Sequence, residues 1–114
     1  MPADCLFCRI AAGDIPATIV HEDDLVIAFR DIEPRAPTHI LVVPREHLGS
    51  AADLDDGHEP LLGRIVAVAN RLAAAEGVAE TGYRLVTNIG GDGGQSVEHL
   101  HLHLLGGRHL GRMG

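Results

Sequence analysis

Aromatic residues are almost missing from this chain: of 114 residues none is Trp, one is Tyr and two are Phe. The core must therefore be built from Ala, Val, Ile and Leu. A platform of several stacked bases, the usual means of holding single-stranded nucleic acid, is excluded. Basic residues are also few. Nine Lys and Arg stand against sixteen Asp and Glu, for a formal net charge of −7. That balance argues against bulk binding to nucleic acid or to an anionic membrane. It leaves room for a small phosphorylated ligand, whose recognition depends on local donors. No run of about 18 apolar residues occurs, so no membrane-spanning helix is expected. Met1-Pro2-Ala3-Asp4 has neither the basic nor the apolar region of a signal peptide, and a cytoplasmic location is the default expectation. With two cysteines there is no disulfide framework, and a chain of this length buries an adequate core without one. One domain over residues 1–114 is expected.

What the chain has instead is histidine. His99-Leu-His101-Leu-His103-Leu-Leu105 alternates with period two, the pattern of a half-buried strand. A strand from Ser96 to Leu105 would turn its leucines to a core. Its imidazoles would line the opposite surface, with same-face neighbours roughly 7 Å apart. On that pattern Glu98 shares the leucine side. Immediately upstream, Asn88-Ile89-Gly90-Gly91-Asp92-Gly93-Gly94-Gln95-Ser96 concentrates glycine with small polar side chains. Successive amides in such a loop can cradle an anion, although neither the P-loop nor the dinucleotide fingerprint is present. The plainer alternative is a flexible turn before a strand.

Aligned imidazoles beside an anion site admit two chemistries. They could hold a catalytic metal, or one neutral ring could attack phosphorus while another stabilises charge or delivers a proton. Cys5-Leu6-Phe7-Cys8 also has competing readings: a redox pair, a disulfide, or half of a zinc site completed by two histidines.

The remaining pattern sets the fold class. Cys5 to Ala12 reads as a short helix stopped at Gly13. Thr18–Glu22 and Leu25–Arg30 read as a hairpin turning at Asp23-Asp24, and His39–Val43 as a strand ending at Pro44. Glu59–Glu76 is the long helix, with Pro60 in its first turn and Gly77 at its stop. Its apolar face is broad: Leu61, Ile65, Val68 and Leu72 form one stripe, and Leu62, Val66, Ala69 and Ala73 form another. A face of that width suits either a deeply buried helix or a subunit contact. Arg84–Asn88 is a further strand. The order of three strands, a helix and two strands predicts an α+β fold with an antiparallel sheet. His21, His58 and His109 lie in polar settings and are expected at the surface.

Together with their flanks these motifs resemble the histidine triad (HIT) family of nucleotide hydrolases and transferases. The matching residues are Cys5 to Ile10 with Gly13, Ile15 and Pro16; Asp31-Ile32 with Pro34 and Ala36 to His39; Val42-Val43-Pro44 with His47; and Gly93 to Arg108. The endings look most like the histidine-triad nucleotide-binding, or purine nucleoside phosphoramidase, branch. That resemblance implies a five-stranded antiparallel sheet dimerising into a continuous ten-stranded one. It also implies hydrolysis of the P–N bond of AMP-amine or acyl-AMP conjugates. By position, His101 would attack the α-phosphorus, and His103 and Ser96 would serve the reacting centre. Asn88, Gly94 and Gln95 would hold phosphate or leaving-group atoms. Asp31 and Ile32 would contact ribose and purine, and His39 would orient the triad. Some members bind structural zinc at positions matching Cys5, Cys8, His47 and His99, with His39 the substitute should His47 point away. The His101 ring is expected to donate one N–H to a backbone carbonyl. Other activities of the same fold are hydrolysis or phosphorolysis of dinucleoside polyphosphates and nucleotide binding with little catalysis.

Overall fold

The computed structural model describes residues 4–113. Its elements are helix α1 (Leu6–Ala11), strands β1 (Ile19–Glu22), β2 (Val26–Arg30) and β3 (Thr38–Pro44), helix α2 (Glu59–Ala75), and strands β4 (Tyr83–Val86) and β5 (Leu102–Gly106). Two short 3₁₀ turns, Ala51–Asp53 and Asp56–His58, occupy the acidic connection before α2. The five strands form one antiparallel sheet in the order β1-β2-β3-β5-β4, an α+β architecture as the motif order predicts. No described helix is long and apolar enough to cross a membrane.

The centre of the sheet is apolar on both sides. Every residue of β3 is buried, as are Val26 to Phe29 of β2. On one face Val26, Ala28, Ile40, Val42 and Leu104 pack beneath α2 against Leu61, Ile65, Val68, Ala69 and Ala73. On the other, Ile27, Phe29, Leu41 and Val43 pack against Phe7 and Ile10 of α1. This second layer corrects the expectation of an open imidazole surface. The face carrying the histidines is roofed by the N-terminal helix, because β2 and β3 present apolar side chains there too. Leu62 remains 46% exposed on α2, so part of the second stripe is left uncovered.

The last strand is shorter than its alternation suggests. It begins at Leu102, not Ser96, so His99 and His101 lie outside the ladder. The reason is at the partner. β3 pairs with β5 from Thr38–Gly106 to Val42–Leu102 and ends at Pro44, which has no amide hydrogen to extend the ladder. The Pro44 carbonyl is taken instead by His99 Nε2 at 2.8 Å, and the Leu100 amide donates to Leu48 O at 2.7 Å. On the other side the Thr87 hydroxyl donates to the His101 carbonyl at 2.8 Å. Two side-chain bonds and one isolated backbone bond thus replace strand pairing over residues 99–101. Glu98, outside the strand, is exposed and does not share the leucine face. Asn88 likewise lies beyond β4.

Polar hubs fasten the periphery. Asp23 accepts from His21, Arg64 and the amides of Leu25 and Val26, tying the β1–β2 turn to α2. Burial opposes ionisation of Asp23, but these donors outweigh it and hold the carboxyl far below its ordinary 3.8. Arg30 forks onto Glu76 at 2.8 Å twice and lowers that carboxyl from its ordinary 4.5. His58 closes a capping box with Asp55 ahead of α2, so of the three peripheral histidines only His109 is simply exposed.

Two outcomes follow. Ile65→Ala, at a site 2% exposed, is expected to lower unfolding free energy by about 2–5 kcal/mol in urea titrations. Both carboxyls have folded-state pKa values below their unfolded ones. Their contribution to stability is therefore complete above about pH 4.5 and is lost as pH falls further. Urea midpoints between pH 7 and 3 should decline accordingly, less steeply in Glu76→Gln.

Candidate active site and metal cluster

Two clefts meet over the C-terminal half of the histidine run. The larger, about 480 Å³, is polar and is lined by Asp31, Glu33, Arg35, His39, Val86, Asn88, Gly94, Ser96, His103 and Leu105. The smaller, about 270 Å³, is mainly apolar. Leu6, Phe7, Ile10, Ile15, Phe29, Ile32, Leu41, Val97, His101 and His103 are among the residues lining it. Asp31, Ser96 and His103 line both, which marks them as the junction. Both phenylalanines of the chain wall the apolar cleft, and they meet edge-on at 5.3 Å. Ile32 stands at this cleft 92% exposed. An aliphatic side chain that exposed beside an apolar hollow is suited to cover a flat ring.

The hydrogen bonds fix the state of each imidazole. His101 Nδ1 lies 2.7 Å from the His99 carbonyl, so Nδ1 carries the proton and Nε2 keeps its lone pair. His39 Nδ1 accepts the Arg35 amide at 3.1 Å, which puts the His39 proton on Nε2. That proton is donated to His103 Nδ1 at 2.9 Å, with Asp31 Oδ2 3.5 Å away. A neutral His103 must then carry its own proton on Nε2. Burial, with the charges of His101 and His39, pushes His103 down to about 4. Burial lowers His39 as well. His101 and His103 meet edge-on at 4.9 Å between centroids, and Phe7 packs edge-on against His101 at 5.2 Å. One ring therefore offers a bare nitrogen and its neighbour an N–H.

The glycine loop is built differently from an open anion cradle. The Gly94 amide donates to Gly91 O and the Gln95 amide to Gly90 O, each at 3.0 Å, closing the loop on itself. The Gln95 side chain accepts from the Gly90 amide and donates to Gly49 O and Val97 O. Gln95 is thus a clamp on the loop and is not among the residues lining either cleft, and the Gly94 amide is already engaged. Two glycines are required for geometry. Gly94 has φ +83°, and a Cβ on Gly93 would lie 2.3 Å from the Ile89 carbonyl oxygen.

The first histidine of the run belongs to a separate cluster. His99, 0% exposed, donates through Nε2 to Pro44 O, so its Nδ1 keeps a lone pair. That nitrogen lies 3.3 Å from Cys5 Sγ, 3.5 Å from Cys8 Sγ and 3.2 Å from His47 Nδ1. Cys8 Sγ is 3.3 Å from His47 Nδ1, and all four ligand atoms lie within 4.8 Å of one another. Atoms bound at about 2.0–2.3 Å to one tetrahedral ion stand about 3.3–3.8 Å apart. The cluster matches that spacing, its donors are two thiols and two imidazoles, and the Pro44 carbonyl supplies the outer-sphere bond that orients a ligating histidine. These residues could hold a metal ion. His47 completes the set, while His39 lies away with Asp31 and His103. Burial and the neighbouring Cys5 thiol push Cys8 up to about 11, so a cation entering here displaces protons.

The structure brings His39, His101, His103, Ser96, Asp31, Ile32, Asn88 and Gly94 around the clefts. Sequence reasoning missed Phe7, Ile10, Phe29 and Leu41 as cleft walls, since helical or strand spacing alone reads them as core. It also missed Arg35 and Thr87, which act through an amide and a hydroxyl on the histidines.

The HIT domain model matches residues 12–110. The chain is 50% identical over 113 residues to the purine nucleoside phosphoramidase of Escherichia coli strain K12, spanning 99% of this chain and 95% of that protein. A HIT family hydrolase from Clostridium thermocellum superposes with a TM-score of 0.96 at 43% identity, covering 99% of this chain and 98% of that one. A HIT family hydrolase from Legionella pneumophila gives 0.93 at 54% identity, over 95% and 96% of the two chains. Matched over most of its length in both sequence and structure, the chain belongs to the HIT domain family.

Proposed function

We propose that this protein hydrolyses AMP-amine phosphoramidates or acyl-AMP conjugates through a nucleotidyl-histidine at His101. One observation carries the reading. The His101 proton is held on Nδ1 by the His99 carbonyl, so Nε2 is an unprotonated nucleophile on the wall of a cleft. The purine would occupy the apolar cleft between Phe7, Phe29 and Ile32. Asp31 would take the ribose hydroxyls. The α-phosphate would lie at the junction, beside Ser96 and His103, with Asn88 facing it from the polar cleft.

In the first step His101 Nε2 forms a bond to phosphorus, and the P–N bond to the amine breaks. The leaving nitrogen must gain a proton, which is relayed to it from solvent through the Ser96 hydroxyl, while the neutral His103 donates its N–H as a hydrogen bond to the phosphate. In the second step water attacks phosphorus and its released proton returns to solvent through Ser96; the His101–P bond breaks, and AMP leaves with the ring restored. Splitting one displacement into two lets a positioned nitrogen replace water as first attacker. The similarity to a phosphoramidase favours a P–N over a P–O–P substrate. Faster turnover of diadenosine polyphosphates than of an AMP-amine conjugate would reverse that choice. Binding of AMP without turnover of any conjugate would leave only a nucleotide-binding role.

Zinc is the ion proposed for Cys5, Cys8, His47 and His99, in a closed four-ligand site whose contribution is structural. A homodimer is also proposed, joined along the uncovered Leu62 side of α2 and the outer edge of β4. The free thiols of Cys5 and Cys8 suit a cytoplasmic setting.

His101→Ala should lower kcat by at least about a thousandfold and leave no adenylylated protein in quenched reactions. Ile32→Ala should raise KM about tenfold while leaving kcat nearly unchanged, as expected when contact is lost equally in ground and transition states. His103 titrates near 4 in the folded protein, so imidazole NMR should find it neutral from pH 8 down to about 5. An acid limb of kcat near pH 6.5 assigned to His103 would contradict this. Untagged protein should carry one zinc per chain, lost in Cys5→Ser.

A further inference from the structure

His99 is at once a member of the metal cluster and the donor of the carbonyl that fixes His101. Its side chain faces Cys5, Cys8 and His47, while its main-chain oxygen accepts His101 Nδ1–H at 2.7 Å. The position of that carbonyl is not set by the sheet, because β5 begins only at Leu102. It is set by three isolated ties: His99 Nε2–H to Pro44 O, the backbone bond from the Leu100 amide to Leu48 O beside His47, and the His99 ring within the cluster. The opposite wall of His101 is Phe7, which lies between the two cluster cysteines on α1 and also packs edge-on against His99 at 5.8 Å. Both surfaces that hold His101 are therefore anchored by the same four ligands.

We propose that His99 is a positioning residue, and that a zinc-class ion held by Cys5, Cys8, His47 and His99 keeps the nucleophile in its Nε2-bare tautomer. The claim rests on the assignment of His101 as nucleophile and goes beyond a structural role for the metal. Without the ion, α1 meets His47 and His99 only through weak thiol contacts and the edge-on packing of Phe7 on the His99 ring. The residue 99 carbonyl and the Phe7 wall can then shift independently. His101 would be released to exchange its proton between the two nitrogens, and the fraction carrying a bare Nε2 would fall. Binding of nucleotide uses other groups, Ile32 and Asp31 among them, and should persist.

The test compares zinc-loaded full-length protein with protein stripped by a chelator, at a temperature where circular dichroism shows both folded. Long-range ¹⁵N–¹H spectra of the imidazoles report the tautomer without any substrate. One Nδ1–H form of His101 is expected with zinc and a mixture without it, with kcat per folded molecule reduced about tenfold and KM within twofold. Re-addition of zinc should restore both. If the stripped protein is not folded, His47→Ala with zinc supplied is read in the same way, and His47→Cys, which restores four ligands, should recover the single tautomer. An unchanged His101 tautomer in folded metal-free protein, or in His47→Ala, overturns the proposal. So does a loss of rate that tracks only the unfolded fraction. If no conjugate is turned over in any state, the enzymatic reading fails, while the tautomer spectra still decide the coupling.

Discussion

Pro44 closes the central strand of the sheet, and the consequences reach the whole site. A residue with an amide hydrogen there could have carried the β3–β5 ladder further toward His99. Lacking that hydrogen, Pro44 ends the pairing and offers only its carbonyl, which His99 takes through Nε2. The chain from 99 to 101 is thereby freed from the pleat. One imidazole turns into a thiol cluster, and the next stays with the clefts. A regular strand would have kept all three rings on one face at equal spacing. The interrupted one gives them three different environments.

Those environments divide the work by hydrogen bonding more than by identity. His99 donates a hydrogen bond to a carbonyl and faces sulfur with a lone pair. His101 donates one to the carbonyl of His99 and keeps Nε2 bare. His103 accepts one from His39, whose own tautomer is dictated by the Arg35 amide. Every proton position in this chain of rings traces to a backbone donor or acceptor, and those are held by the fold. Low solvent exposure then keeps His39 and His103 neutral, so the pattern of lone pairs and N–H groups does not scramble near pH 7.

The roof is as necessary as the floor. α1 is only six residues long and is held by burial of Phe7 and Ile10 on the sheet and by the cysteines that flank Phe7. With its cap residue Cys5 it supplies a wall of the apolar cleft, an edge-on contact to the His101 ring and the two thiols of the cluster that could hold a metal ion. With two phenylalanines in the chain, both are placed where a ring is most useful.

Much of this was legible in the sequence. The caps of α2, the order of strands and helices and the Cys-x-x-Cys spacing are local signals, and each survives in the fold because local propensity and tertiary packing agree, while the alternating His-Leu run keeps its strand only from Leu102 onward. The donor pattern of His101 was also foreseeable, because a buried imidazole must place its proton somewhere. The start of β5 was not, because it depends on what Pro44 denies to a segment more than fifty residues away. Nor was the commitment of Gln95 and the Gly94 amide to closing their own loop. The burial of the histidine face, the grouping of His47 rather than His39 with Cys5, Cys8 and His99, and the use of Phe7 and Phe29 as cleft walls were decided only when distant segments met. Sequence by itself determined which residue types and periodicities were on hand. Tertiary structure decided which nitrogen of each ring bears the proton, because that choice belongs to the partner across space.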